Sequence, residues 1–282
     1  MSMKERSVQC LGRKKFHRLA YTEWGSPEAT RTLICVHGLT RNGRDFDVLA
    51  SALEDDYRII CPDIAGRGKS DWLQSGAEYL NSNYLADLAT LLAKVGVCEV
   101  DWLGTSMGGI LGMLMAAVSG NPIKRLIVND VGPFLPKTAL ERIASYTGNA
   151  PEFESLDALE VYLRDVHATF GNLTDGQWRH MAETSYHEFE GGKLALAYDP
   201  AIGDNLRTGP LDDVNMWSFW DAIQCPTLVI RGETSDLLRK EHANAMTARG
   251  PKAELVEVPN CGHAPALMAA DQIAIVRDWL NE

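Results

Sequence analysis

No apolar run in this chain is long enough to cross a membrane. The longest, around Ile110 to Val118, is interrupted by Gly112 and falls far short of the ~20 residues a span requires. The polar stretch from Met1 to Phe16 carries Lys4, Arg6, Arg13, Lys14 and Lys15, and no apolar core follows it as in a secretory signal. Basic residues are in deficit, 27 against 38 acidic, for a formal net charge of −11. That balance speaks against a nucleic-acid backbone or an anionic membrane as partner. The six cysteines (Cys10, Cys35, Cys61, Cys98, Cys225 and Cys261) show no CxxC spacing, and no Cys/His pair has zinc-ligand spacing. Most sit in or beside apolar runs, so the expectation is buried reduced thiols in a cytoplasmic protein, with no metal.

What is present is an ordinary globular composition, 45% hydrophobic and 23% charged over 282 residues. That length supports one large α/β domain with room for an inserted subdomain. Short apolar runs alternate with helical patterns. Strands are expected at Thr32 to Val36, Tyr57 to Cys61, Val97 to Leu103, Arg125 to Val128, Thr227 to Arg231 and Glu254 to Val258. Helices are expected at Asp45 to Leu53, Tyr84 to Val95, Met107 to Ser119, Glu241 to Ala248 and Ala266 to Leu280. Strands alternating with helices predict a mainly parallel, doubly wound sheet, and runs without polar alternation predict strands covered on both faces. The rhythm breaks between about Gly132 and Asp213, where helical patterns recur and no strand is expected. We read residues 133–213 as a helical lid inserted into a core formed by residues 1–132 and 214–282, lying over the carboxyl ends of the strands.

The chemistry concentrates at Gly104-Thr105-Ser106-Met107-Gly108, between a strand and a helix. A sharp turn there exposes the Ser106 hydroxyl at a helix N-terminus, where the dipole favours developing negative charge. A serine hydroxyl needs a base to become a nucleophile. Of the seven histidines, His17, His167, His180, His187 and His242 lie in polar or helical contexts. His37 reads as a brace of its own loop. His263 sits in the turn-rich loop PNCGHAP, after the last strand and before the last helix. A base must be oriented by a third group. Asp236, in the loop after TLVIR, is the expected acid, with Glu233 nearer the strand as a competitor. Oxyanion donors are expected in the backbone N–H groups of Met107, after the nucleophile, and Leu39, in the loop His37-Gly38-Leu39-Thr40. Thr40 and Arg41 follow that donor directly, so they are candidates for substrate contact. Arg41 could pair with a substrate carboxylate or be balanced by Asp45 or Asp47.

Four motifs in order, HGLT at His37, PDIAGRGKSD from Pro62 to Asp71, GTSMGG at Ser106 and GH at His263, are similar to those of the α/β-hydrolase superfamily, in its lid-bearing branch. The resemblance covers nearly the whole chain except the lid. It implies a mostly parallel eight-stranded sheet, the chain order Ser106, Asp236, His263 for the catalytic triad, and no cofactor. It also implies that PDIAGRGKSD lines the pocket floor and that Asp130, after RLIV, is an alternative acid. A serine nucleophile separates the chain from the epoxide hydrolases and haloalkane dehalogenases of this fold, which attack with aspartate. The expected activity is hydrolysis of a small carboxylic ester, lactone or related acyl bond. A carbon–carbon bond hydrolase and a small-molecule receptor on the same fold remain the alternatives.

Overall fold

The computed structural model describes residues 3–189, 191–208 and 210–282. In chain order the strands and α-helices are β1 (Lys4–Leu11), β2 (Phe16–Trp24), β3 (Thr32–Val36), α1 (Asp47–Leu53), β4 (Arg58–Pro62), α2 (Asn81–Val95), β5 (Val100–Thr105), α3 (Met107–Ala116) and β6 (Ile123–Asn129). There follow β7 (Phe134–Leu135), α4 (Lys137–Tyr146), β8 (Glu152–Phe153), α5 (Leu156–Val166), α6 (Asp175–Glu183), β9 (Tyr186–Glu188), β10 (Leu194–Leu196), α7 (Asp204–Arg207) and β11 (Val214–Asn215). The chain closes with α8 (Trp217–Ala222), β12 (Thr227–Gly232), α9 (Lys240–Ala248), β13 (Glu254–Val258) and α10 (Ala270–Asn281).

Eight strands form one sheet in the order β1-β2-β4-β3-β5-β6-β12-β13. From β4 to β13 every pairing is parallel, and β1 and β2 add antiparallel strands at one edge. Alternation along a strand divides the core into two layers. In β3, Leu33 and Cys35 pack with Leu49 and Leu53 of α1 and Val276 and Leu280 of α10. Ile34 and Val36 pack on the opposite face with Leu88 and Leu91 of α2 and Leu111 of α3. Each of these side chains is essentially fully buried, which stabilises the fold by roughly 1.5–3 kcal/mol apiece. Helix α2 stops where Gly96 adopts a left-handed φ of 74° and returns its N–H to the last-turn carbonyls of Ala93 and Leu92.

Two features differ from the expectation. The basic N-terminal stretch is a sheet edge: Lys4 to Leu11 pairs residue for residue with Glu23 back to Phe16. Its exposed residues include Lys4, Glu5 and Arg6, as suits an edge strand, and only Cys10 is fully inside. The stretch between β6 and β12 also contains strands. These are two or three residues long, in a three-stranded sheet β8-β10-β9 and a β7–β11 pair. Segments that short carry no readable alternation. The β7–β11 pair joins the two ends of the stretch, Phe134 against Asn215 and Leu135 against Val214.

Candidate active site

The turn between β5 and α3 is forced by close packing. A Cβ on Gly104 would lie 2.1 Å from the Gly108 carbonyl oxygen, and one on Gly108 would lie 1.9 Å from that of Val36. Only glycine permits this approach of strand and helix. Between them Ser106 takes φ 52° and ψ −113°, a sparsely populated conformation for a residue with a side chain. Its N–H is held by the Asn129 carbonyl at 2.9 Å.

Ser106 Oγ lies 2.9 Å from His263 Nε2, and His263 Nδ1 lies 2.7 Å from Asp130 Oδ2. An ionised carboxylate only accepts, so Nδ1 carries the proton and Nε2 is left to accept from the Ser106 hydroxyl. Asp130 is fully buried at the end of β6, in a left-handed conformation with φ 54°. Its Oδ1 accepts from the Gly232 N–H at 2.8 Å, and its Oδ2 also accepts from the Ser235 hydroxyl at 2.6 Å. The His263 loop is tied down from two sides. Asn129 Nδ2 donates to the Pro265 carbonyl at 2.9 Å, and Thr169 Oγ1 donates to the His263 carbonyl at 2.7 Å.

Asp236 does not face His263, and the expectation that it would is corrected. Its half-exposed carboxylate is gripped by Arg142 of α4, at 2.6 Å from Nε and 2.9 Å from Nη2. The longer loop was expected to let its carboxylate turn back towards His263, but it is the preceding residue, Ser235, that donates to Asp130. The Arg142 guanidinium holds the Asp236 carboxyl below the usual aspartate range against the opposing effect of burial. Glu233 instead accepts from the Asn260 N–H at 3.1 Å.

The loop holding Leu39 is braced from below. His37 is fully buried, and burial pushes its pKa down to about 3, with Arg67 and Arg41 acting in the same direction. Its Nε2 accepts from the Ile64 N–H at 2.9 Å, so Nδ1 must carry the proton that bonds the Gly38 carbonyl at 2.7 Å. Gly38 then passes close over the serine: a Cβ there would lie 3.7 Å from that of Ser106. Arg67 was not singled out from the sequence. It is wholly buried and donates from Nε to the Leu39 carbonyl at 2.9 Å, and from Nη1 to the Ala65 carbonyl and the Tyr84 hydroxyl, both at 2.7 Å. Its Nη2 lies 3.7 Å from Met107 Sδ. One guanidinium thus touches both residues expected to supply oxyanion donors. Its position inside GRGKSD is the signal that could have found it.

A cavity with roughly 770 Å³ of empty space, part of it open to solvent, lies over this constellation. Core residues Leu39, Thr40, Arg41, Ser106 and His263 line one side, and Arg142, Tyr146 and His167 from the stretch between β6 and β12 line the other. Arg41 is buried and paired with Asp45, at 2.9 Å through Nε and 2.5 Å through Nη2. Elsewhere, Cys10, His17 and Asp87 form a group of three potential metal ligands whose ligating atoms lie within 4.8 Å of one another. No helix among the described residues is long and apolar enough to cross a membrane.

A doubly wound sheet with a serine on a strained strand-to-helix turn, backed by histidine and a buried aspartate, defines a class, and the chain belongs to it. The model of the alpha/beta hydrolase family matches residues 33–275. The protein is a hydrolase of that family. It is 43% identical to a 3-hydroxybutyrate-oligomer hydrolase from Cupriavidus necator, over 97% of this chain and 96% of that one. It is 28% identical to a 2-(acetamidomethylene)succinate hydrolase from Mesorhizobium japonicum, over 82% and 81% of the two chains. Among solved structures, an alpha/beta hydrolase from Novosphingobium aromaticivorans superimposes with a TM-score of 0.88 at 35% identity, covering 99% of this chain and 98% of that one.

Proposed function

We propose that the protein is a serine hydrolase that cleaves carboxylic esters of short hydroxyacids through an acyl-enzyme on Ser106. The observation that carries this reading is the unbroken relay Ser106 Oγ, His263 Nε2, His263 Nδ1, Asp130 Oδ2, with spacings of 2.9 and 2.7 Å at its two hydrogen bonds. The Ser106 oxygen attacks the ester carbonyl while His263 Nε2 takes its proton. Asp130 holds the imidazole in the required tautomer and offsets the imidazolium charge. The N–H groups of Leu39 and Met107 receive the oxyanion. As the tetrahedral adduct collapses, the imidazolium returns the proton to the departing alkoxide. Water then repeats the sequence on the acyl-enzyme and frees the acid and Ser106. The ester class is supported by the similarity to the Cupriavidus protein, and residues 133–213 serve in this reading as the lid that selects the substrate.

The test combines a chromogenic short-chain ester with a fluorophosphonate. The expected result is a burst of one leaving group per active site, and phosphonate mass on the peptide containing Ser106 alone. Slow binding of the ester without turnover would favour a receptor, and turnover confined to a vinylogous diketone would favour a carbon–carbon hydrolase.

A further inference from the structure

A smaller chamber adjoins the cavity over Ser106 and His263, and the two share Thr40, Arg41, Tyr146, Val166 and His167. Three polar side chains on its walls have hydrogen-bonding capacity that the described residues do not meet. Arg41, 6% exposed, spends Nε and Nη2 on Asp45, and its Nη1 has no partner. His167, 8% exposed, makes a ring contact with Phe170 but no side-chain hydrogen bond. Ser185, 3% exposed, has a buried hydroxyl without a partner. Buried polar groups are ordinarily satisfied. A buried, unpartnered Ser185 hydroxyl beside two polar side chains with unspent donors, around a chamber that adjoins the nucleophile's cavity, indicates a ligand that completes them.

We propose that this chamber is a carboxylate-binding subsite, in which Arg41 Nη1 and the His167 ring N–H hold a free carboxylate of the ester substrate. The chemistry of the walls selects that ligand. Burial keeps His167 neutral, aided by the positive Arg41 and by His263, so its ring offers one donor and one acceptor. Arg41 presents one free guanidinium edge, a fit for a planar group with two acceptor oxygens. Its other edge already carries Asp45, so a second single negative charge is tolerated where a phosphate dianion would be repelled. The Ser185 hydroxyl can donate to the second carboxylate oxygen. The substrate class narrows accordingly to esters that bear an unesterified carboxyl group, as the end of a hydroxyacid oligomer does. This inference rests on the ester-hydrolase reading.

The experiment compares two matched pairs of substrates: 3-acetoxybutanoate against its methyl ester, and the nitrophenyl monoester of succinate against its methyl-capped form. The first pair carries the carboxylate on the alcohol side and the second on the acyl side. The quantity read is the ratio of kcat/KM for free acid over capped ester. In the wild type at least one pair should favour the free acid. In His167→Phe the ratio for that pair should fall by tenfold or more, the size of one charge-assisted hydrogen bond. Arg41→Met is combined with Asp45→Asn so that no charge is left buried and unpaired, and the ratio should fall at least as far. A wild type that hydrolyses capped and free esters equally overturns the subsite and leaves the ester-hydrolase reading standing. Variants that lower both members of a pair equally overturn it as well. A folded enzyme that turns over none of the four esters removes the reading on which it rests.

Discussion

Among the described residues two buried His–Asp pairs have nearly equal geometry, and one of them opens onto a cavity. His263 meets Asp130 at 2.7 Å and His17 meets Asp87 at 2.8 Å. Each pair also has a nucleophile type beside it, Ser106 in the first case and Cys10 in the second. The difference lies in the second imidazole nitrogen. In His263 it faces the Ser106 hydroxyl under an open cavity. In His17 the corresponding atom, Nδ1, is buried without a partner. Cys10 sits directly across the hairpin from His17, yet its Sγ is 3.8 Å from the Asp87 carbonyl. Burial, reinforced by the Asp87 charge, pushes the Cys10 thiol up to about 12, so it stays protonated and unreactive. Residue types alone therefore do not make a catalytic triad. A base must turn its free nitrogen towards the nucleophile, and the nucleophile must face space a substrate can enter.

The largest effect that would break this comparison is at the nucleophiles. Ser106→Ala should lower kcat by about 10⁴- to 10⁶-fold with the fold retained. Cys10→Ala should leave kcat/KM within about twofold and show its cost in a urea melt. A reversed pattern would make the second cluster the active one. Next come the carboxylates. Asp130→Asn should cost about 10⁴-fold in kcat through the wrong His263 tautomer, while Asp236→Asn should cost less than about threefold. A crippled Asp236→Asn enzyme would return that residue to the relay. The brace should rank third. Arg67→Met frees the Leu39 carbonyl and loosens the oxyanion loop, so kcat should drop by about 10- to 100-fold with little change in KM. An equal rise in KM would assign Arg67 to substrate binding instead.

The smallest effect is one of stability and pH. The hydrogen bond to Asp87 raises the His17 pKa against the opposing effect of burial. The stabilisation this confers is fully present below the unfolded value, about 6.5, and is lost as pH rises through the raised folded value. Asp87→Asn should therefore destabilise the protein most in mildly acidic buffer, and the gap to the wild type should narrow towards alkaline pH. Urea melts from pH 6 to 9 check this. A gap that widens with pH would mean that His17 is neutral in the folded protein.

How far the candidate site could be read depended on how local each signal was. GTSMGG carries its geometry within itself, because the glycines are the ones that close packing demands. The turn-rich loop around His263 is likewise recognisable between a strand and a helix. The acid was not readable, because β6 and β12 are adjacent in the sheet and each ends in an aspartate-bearing loop. Loop length does not reveal that Asp130 takes a left-handed backbone and turns inward, nor that Ser235, just before Asp236, donates to it. Arg67 was missed because arginine in a loop reads as solvent-facing. It is buried because carbonyls and a tyrosine hydroxyl from three segments meet its N–H groups.

Sequence order and patterning alone carried the parallel sheet, its two covered faces and the strand-to-helix turn at Ser106. These depend on hydrophobic period and glycine placement within a few residues of one another, and such local constraints survive in one dimension. Three things were decided only on folding: which carboxylate meets His263, which guanidinium braces the Leu39 loop, and which polar groups are left facing the inner chamber. Each joins residues about 30 to 150 positions apart. Their outcome turns on strand adjacency and on the direction of single side chains, and neither is encoded in spacing along the chain.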